Sequence, residues 1–155
     1  MSAKPTGIGV GLRVAMAKAF LDATPKSVAW LEVHPENYNG RGGLYRDLLS
    51  RARERWPIVT HGLTMGFGAT EAVPREELEM LRSFLNEVGT PWHSDHLCFP
   101  GLSDAFVHDL LPVPFTEESI SNAVARIEEA RGVIDRELAF ENLSYYAPQS
   151  DDPLD

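Results

Sequence analysis

Two histidines and a glutamate, His61, His96 and Glu141, are the residues of this chain best suited to chemistry. Neutral imidazole and carboxylate hold iron, manganese or zinc, and three such ligands can leave coordination positions open for a substrate. Separations of 35 and 45 residues correspond to one strand–helix unit, and to one unit enlarged by a long connection. The three side chains can therefore converge if the chain repeats strand and helix. Each taken singly has a plainer explanation, because a strand-end His or Glu often does no more than hydrogen-bond a neighbouring loop. Three of them on neighbouring strands favour a metal.

Other polar residues cluster near them. Glu32 and the run His34-Pro35-Glu36-Asn37-Tyr38 fall where a strand gives way to a loop, and they offer donors and acceptors to support a site or face a substrate. The alternative is a structured turn in which Asn37 caps the backbone, and the sequence leaves both readings open. Along residues 92–97, strand alternation puts His93 and Asp95 on one face and Ser94 and His96 on the other. Only one face can point into a barrel, so parity makes His96 the ligand candidate and His93 a packed histidine facing a helix. Asp95 and Asn142, next in sequence to His96 and Glu141, join Glu32, His34, Glu36 and Asn37 as supporting or substrate-facing candidates.

Several apparent motifs carry less. Residues 7–12, GIGVGL, have Leu12 where a dinucleotide fingerprint needs its third glycine, and read as a close-packed barrel strand. Cys98 has no histidine at nucleophile spacing and reads as a packed thiol. Asn142-Leu143-Ser144 matches a glycosylation sequon, but its place at a strand end makes the match accidental. His108 and Asp109 lie in the connection 98–115, which has the composition of an irregular loop closing a barrel mouth.

The elements that must position these residues alternate regularly. Apolar runs at 8–12, 28–34, 58–61, 92–97 and 138–142 read as strands. Between them lie helical stripes: Val14, Ala17 and Leu21 until Pro25; Leu44, Leu48 and Ala52; Leu78, Leu81, Leu85 and Val88, from Pro74 to Gly89; and Ile120, Ala123, Val124, Ile127 and Ala130 after the N-cap Thr116. Five strands separated by four helices imply parallel pairing through right-handed crossovers, in an open doubly wound sheet or part of a barrel. Glu32 and His34, His61, His96 and Glu141 stand at the ends of four different strands. A barrel gathers side chains from several strand ends, whereas an open sheet collects its ligand at one switch point. The fold expected is α/β, a partial (β/α)8 TIM barrel with about five parallel strands. A complete barrel needs roughly 250 residues, so residues 1–155 are expected to form a single domain, the N-terminal part of a barrel whose C-terminal strands are missing.

Composition narrows the function. Fourteen Lys and Arg against 23 Asp and Glu give a net charge of −9, which repels a phosphate backbone and argues against nucleic acid. A single cysteine cannot form an intrachain disulfide, so a reducing cytosol suits the chain. No apolar run is long enough for a membrane span, and no secretory signal opens the chain. A cytoplasmic location is expected.

Together, residues 30–38 (WLEVHPENY), Thr60-His61-Gly62, Ser94-Asp95-His96-Leu97, residues 109–114 (DLLPVP) and Phe140-Glu141-Asn142 resemble the multinuclear non-haem iron-dependent oxidases, a family long known only as a domain of unknown function. The resemblance runs from about Gly7 to Tyr146, with five motifs in order. It implies a barrel of the xylose-isomerase-like type and assigns His61, His96 and Glu141 as metal ligands. Family members continue through a second half bearing an Asp, a His and a His-x-Asp-x-His motif, none of which is present here. The chain alone is therefore expected to carry only part of the site. The resemblance further implies two or three irons in the complete site, O2 as co-substrate, modification of cysteine residues in a ribosomally made precursor peptide, and a small partner protein that recognises that peptide. Two alternatives stay open: a metal-dependent sugar isomerase or hydrolase on the same barrel, and a non-catalytic half-barrel that binds a partner. Unpaired strand edges also predict self-association.

Overall fold

The computed structural model describes residues 4–102 and 105–143, with the backbone alone for 100–102 and 105–109. Strand β1 (Gly9–Gly11) leads to helix α1 (Val14–Ala23), whose Ala17 and Leu21 are buried. A left-handed Thr24 (φ 47°) ends α1, its N–H bonding back to Phe20 O. In β2 (Trp30–Val33), Leu31 and Val33 are fully buried while Trp30 and Glu32 are only half-buried, the alternation a pleated strand requires. Gly9 must lack a side chain, because a Cβ there would lie 2.2 Å from the Trp30 indole. Close packing thus explains Gly9, while Gly11 has open space where a Cβ would stand. A 3₁₀ turn (Pro35–Asn37) follows, then α2 (Leu44–Arg53) and β3 (Ile58–His61).

Helix α3 (Arg75–Val88) has Glu76 and Glu77 in its first turn, complementing the helix dipole, and stops at Gly89 with φ 69°. Its Leu78, Leu81, Phe84, Leu85 and Val88 are buried. Helix α4 (Glu117–Arg131) starts at Thr116, whose Oγ1 accepts the Ser119 N–H at 3.1 Å, the cap expected for that residue. The last strand, β6 (Glu137–Asn142), pairs with β4.

The connection 98–115 is not the irregular loop the sequence suggests. Strand β4 runs from Trp92 to Leu102, and β5 (Ala105–Pro112) returns antiparallel to it, with Cys98 opposite Pro112 and Phe99 opposite Leu111. Prolines obscured the pattern. A register shift between Phe99 and Gly101 brackets Pro100, which has no N–H to give a ladder. The side chains of His108 and Asp109 lie outside the described residues, as does Ser144.

Parallel pairing links β1, β2, β3, β4 and β6 in that order, and β5 is the antiparallel addition to the far end of β4. With the four helices, this is an α/β partial TIM-like barrel. The core lies between the helices and one face of the sheet, joining Leu31, Val33 and Ile58 to Leu21, Leu48 and Leu81. No helix among the described residues is long and apolar enough to cross a membrane.

Candidate metal centre

Residues opposite one another in a parallel sheet point to the same side. The register sets His61 beside Ser94 across β3 and β4, and His96 beside Glu141 across β4 and β6. Ser94 and His96 are two apart on β4, so His61, Ser94, His96 and Glu141 share one face, away from the helices. The opposite face carries Thr60, His93 and Asp95, each at most 1% exposed.

On the open face, three side chains converge. One ligand atom from each of His61, His96 and Glu141 lies within 4.8 Å of the others. Nε2 of His61 is 3.7 Å from Glu141 Oε2, and Nε2 of His96 is 3.8 Å from the same oxygen. Atoms bound to one ion at about 2.0–2.2 Å lie no more than about 4.4 Å apart, so the two separations from Glu141 suit a shared cation. They are too long for hydrogen bonds. The two imidazoles meet edge to face, centroids 4.6 Å apart. Glu141 is 60% exposed and both histidines are largely buried, so the cluster is open from the Glu141 side.

Burial favours the neutral form of His61. Burial, followed by the neighbouring His96, lowers its pKa from the usual histidine range, while Glu32 and Glu141 pull the other way. A neutral imidazole is the form that binds metal. Behind the ring, Nδ1 of His61 is 2.8 Å from Ser94 Oγ. Nδ1 of His96 is buried without a hydrogen bond, and the nearest carboxylate oxygen, Asp95 Oδ1, is 3.6 Å away.

Beneath the cluster lies a tight polar layer. Asp95 accepts the His96 N–H at 2.7 Å and the Met65 N–H at 3.3 Å, yet burial pushes its pKa up to about 7 against those donors. His93, the histidine parity assigns to packing, bonds Thr60 Oγ1 through Nδ1 at 3.1 Å. Burial pushes its pKa down to about 4. Gly62 makes room for both residues, since a Cβ there would lie 2.2 Å from Asp95 Oδ2 and 3.0 Å from His93 Cε1.

The remaining candidates occupy varied places. His34 donates Nδ1–H to His61 O at 2.8 Å, which ties the end of β2 to the end of β3. Glu36 accepts from Leu63 N at 2.8 Å and from Thr64 Oγ1 at 3.2 Å, so it anchors the loop after β3. Asn37 contributes its backbone N–H to the 3₁₀ turn, bonding His34 O at 3.0 Å. Asp95 sits under His96 on the helix side, while Asn142 lines a groove with Leu97, Pro114 and Ile120, away from the three converging residues. Cys98 is buried, and burial raises its thiol to about 11. Sequence reasoning missed Ser94 and Gly62 as parts of the site. Parity had placed Ser94 on the right face, but its partner depends on a register that the sequence alone does not fix.

These features define a partial (β/α) barrel whose strand ends gather a group able to hold a metal ion. The chain belongs to the family of RiPP precursor modification enzymes MbnB/TglH/ChrH, whose model matches residues 7–155. Among curated relatives, it is 38% identical over 148 residues to a UPF0276 protein of Caulobacter vibrioides, covering 96% of this chain and 53% of that protein. A UPF0276 protein of Rhizorhabdus wittichii is 40% identical over 139 residues, covering 89% and 50%. One from Haemophilus influenzae is 33% identical over 144 residues, covering 92% and 47%. The chain thus spans about half the length of the curated relatives it matches.

Proposed function

We propose that this chain contributes to an O2-dependent, non-haem iron oxidation of cysteine residues in a ribosomally made precursor peptide, and that it carries only part of the site. The observation supporting this most directly is the convergence of His61, His96 and Glu141, within the span matched by the family. The complete site would hold two or three irons, with further ligands from the half of the relatives' length not spanned here. Residues 1–155 act in this reading as one domain, the N-terminal part of the barrel, in a cytoplasmic enzyme assisted by a small peptide-recognising partner.

His61 and His96 would hold iron through Nε2, and Glu141 through its carboxylate. Bound there, iron supplies a point for oxygen activation and a Lewis acid to which a peptide thiolate can bind. The protein's own contribution is positional. Burial favours the unprotonated form of His61, and the Glu141 carboxylate supplies negative charge on the open side of the cluster. Glu32 adds a second negative charge near His61, while His34 and Glu36 brace the strand ends that carry the ligands. Asp95 fixes the His96 backbone from below.

The test is substrate-dependent oxygen uptake. The iron-loaded chain is mixed with the C-terminal half of the Caulobacter relative and a cysteine-bearing precursor peptide, and oxygen is followed alongside peptide mass. The expected result is oxygen consumption coupled to a mass change on cysteine, greater in the mixture than with the chain alone. Binding of zinc or manganese without oxygen uptake would instead favour the isomerase or hydrolase reading. Absence of both metal and turnover would favour a half-barrel that only binds a partner.

A further inference from the structure

We propose that Ser94 is the positioning residue for His61: its hydroxyl holds the neutral imidazole in the Nδ1–H tautomer and thereby aims the bare Nε2 lone pair at the Glu141 side. The proposal rests on His61 as a metal ligand and adds a residue to that site.

The argument follows the hydrogens. Ser94 Oγ donates to Thr60 O at 3.4 Å, and a carbonyl oxygen can only accept. The hydroxyl has one hydrogen; placed toward Thr60 O, it leaves Oγ free to accept the His61 Nδ1–H across the 2.8 Å contact, the arrangement that a metal on Nε2 demands. In a neutral imidazole, Nε2 then carries no hydrogen. That nitrogen faces Glu141 Oε2 at 3.7 Å, and Nε2 of His96 faces the same oxygen at 3.8 Å. Two acceptors facing each other repel unless a donor or a cation lies between them. The separation is too long for a shared proton, and a cation, or a water donating to both, satisfies the arrangement.

The sheet makes this partnership specific. Ser94 is the register partner of His61 on β4, and on its other side it pairs with Ala139 of β6, which has no polar group to compete for the hydroxyl. The Gly62 N–H donates to Ser94 O at 2.7 Å, fixing the Ser94 backbone against the residue that follows His61. His96 offers a built-in contrast. Its Nδ1 is buried with no hydrogen bond, and Asp95 Oδ1 lies 3.6 Å away, beyond hydrogen-bonding distance. Partners of this kind fix a ligating histidine's tautomer and orientation, and their loss typically lowers metal affinity by about 10–100-fold.

The experiment uses the 15N-labelled 155-residue chain, metal-free and near pH 8, where an imidazole is neutral. Long-range 1H–15N correlation spectra read the tautomer of His61, assigned by its disappearance in His61→Ala. Anaerobic Fe(II) titration then reads affinity in wild type, Ser94→Ala, Ser94→Thr and His61→Ala. Expected are an Nδ1–H pattern in wild type, its loss in Ser94→Ala with a fall in Fe(II) affinity of about 10–100-fold, and recovery of both in Ser94→Thr. An Nε2–H pattern in wild type overturns the proposal, as does a tautomer or an affinity that Ser94→Ala leaves unchanged. If His61→Ala binds Fe(II) as wild type does, the metal reading of His61 itself fails, and Ser94's positioning role fails with it. The tautomer spectra separate that outcome from a failure confined to Ser94.

Discussion

Helices α3 and α4 carry the same kind of apolar stripe and are buried to different depths. In α3, Leu78, Leu81, Phe84, Leu85 and Val88 are all at most 7% exposed. In α4, the stripe predicted from Ile120 to Ala130 buries Ala130 fully but leaves Ile120 and Val124 51% and 53% exposed. Strand β6 follows suit: it is mostly exposed, Phe140 at 36%, and its pairing among the described residues is with β4 alone. A barrel helix is covered by its own strand and by the next unit around the ring. The α3 unit has both neighbours among the described residues, and the α4 unit has one. The candidate metal centre spans the two regions, taking His61 and His96 from the packed strands and Glu141 from the open one.

The comparison predicts unequal costs of truncation. Leu85→Ala, at a fully buried position, should lower stability by about 2–5 kcal/mol. Val124→Ala should cost less than about 1 kcal/mol. Denaturant unfolding of the two variants checks this, and equal losses would mean that α4 is covered in solution as well as α3.

A second prediction sharpens the packed side through pH. His93 is neutral when folded down to about 4 and titrates near 6.5 when unfolded. Its depressed folded value therefore adds stability above pH 6.5, which is lost as pH falls to about 4. Asp95 has the opposite sign. Its folded value near 7 against 3.8 unfolded makes stability fall as pH rises between those values. With both groups present, the two slopes nearly cancel between about pH 4 and 6.5. Asp95→Asn should expose the His93 contribution, a rise of at most roughly 3 kcal/mol from pH 4 to 6.5. Unfolding free energies of both proteins across that range would show it; parallel profiles for wild type and variant would contradict it.

The smallest effect concerns the open side. The edge of β6 that pairs with no described strand, together with the half-exposed Ile120 and Val124, should make the chain self-associate as concentration rises. Sedimentation should show this association weakened in Val124→Glu. A compact monomer at every concentration would count against the exposed α4 face as a sticky surface.

Elements of both regions could be read from sequence. All five parallel strands and α1 to α4 were legible because their apolar periods agree with their caps, as at Pro74 and Gly89 of α3 and at Thr116 of α4. Parity on β4 separated His96 from His93 because one strand's alternation needs no knowledge of its neighbours. The hairpin of β4 and β5 was not legible, since Pro100 and Gly101 interrupt the pattern that pairing then bridges. Ser94 and Gly62 remained hidden for a related reason. Their roles depend on contacts across strands, where a shift of one residue would turn every side chain to the other face.

The most direct test of the central claim is the iron content of the chain after anaerobic loading, compared among single variants. Replacing His61, His96 or Glu141 by Ala should each remove most of the iron retained by wild type. His93→Gln, which changes a buried histidine on the helix-facing side, should retain it. Wild-type iron in all three Ala variants, or loss of iron in His93→Gln with retention in His96→Ala, would contradict the assignment of this strand-end cluster as the metal centre.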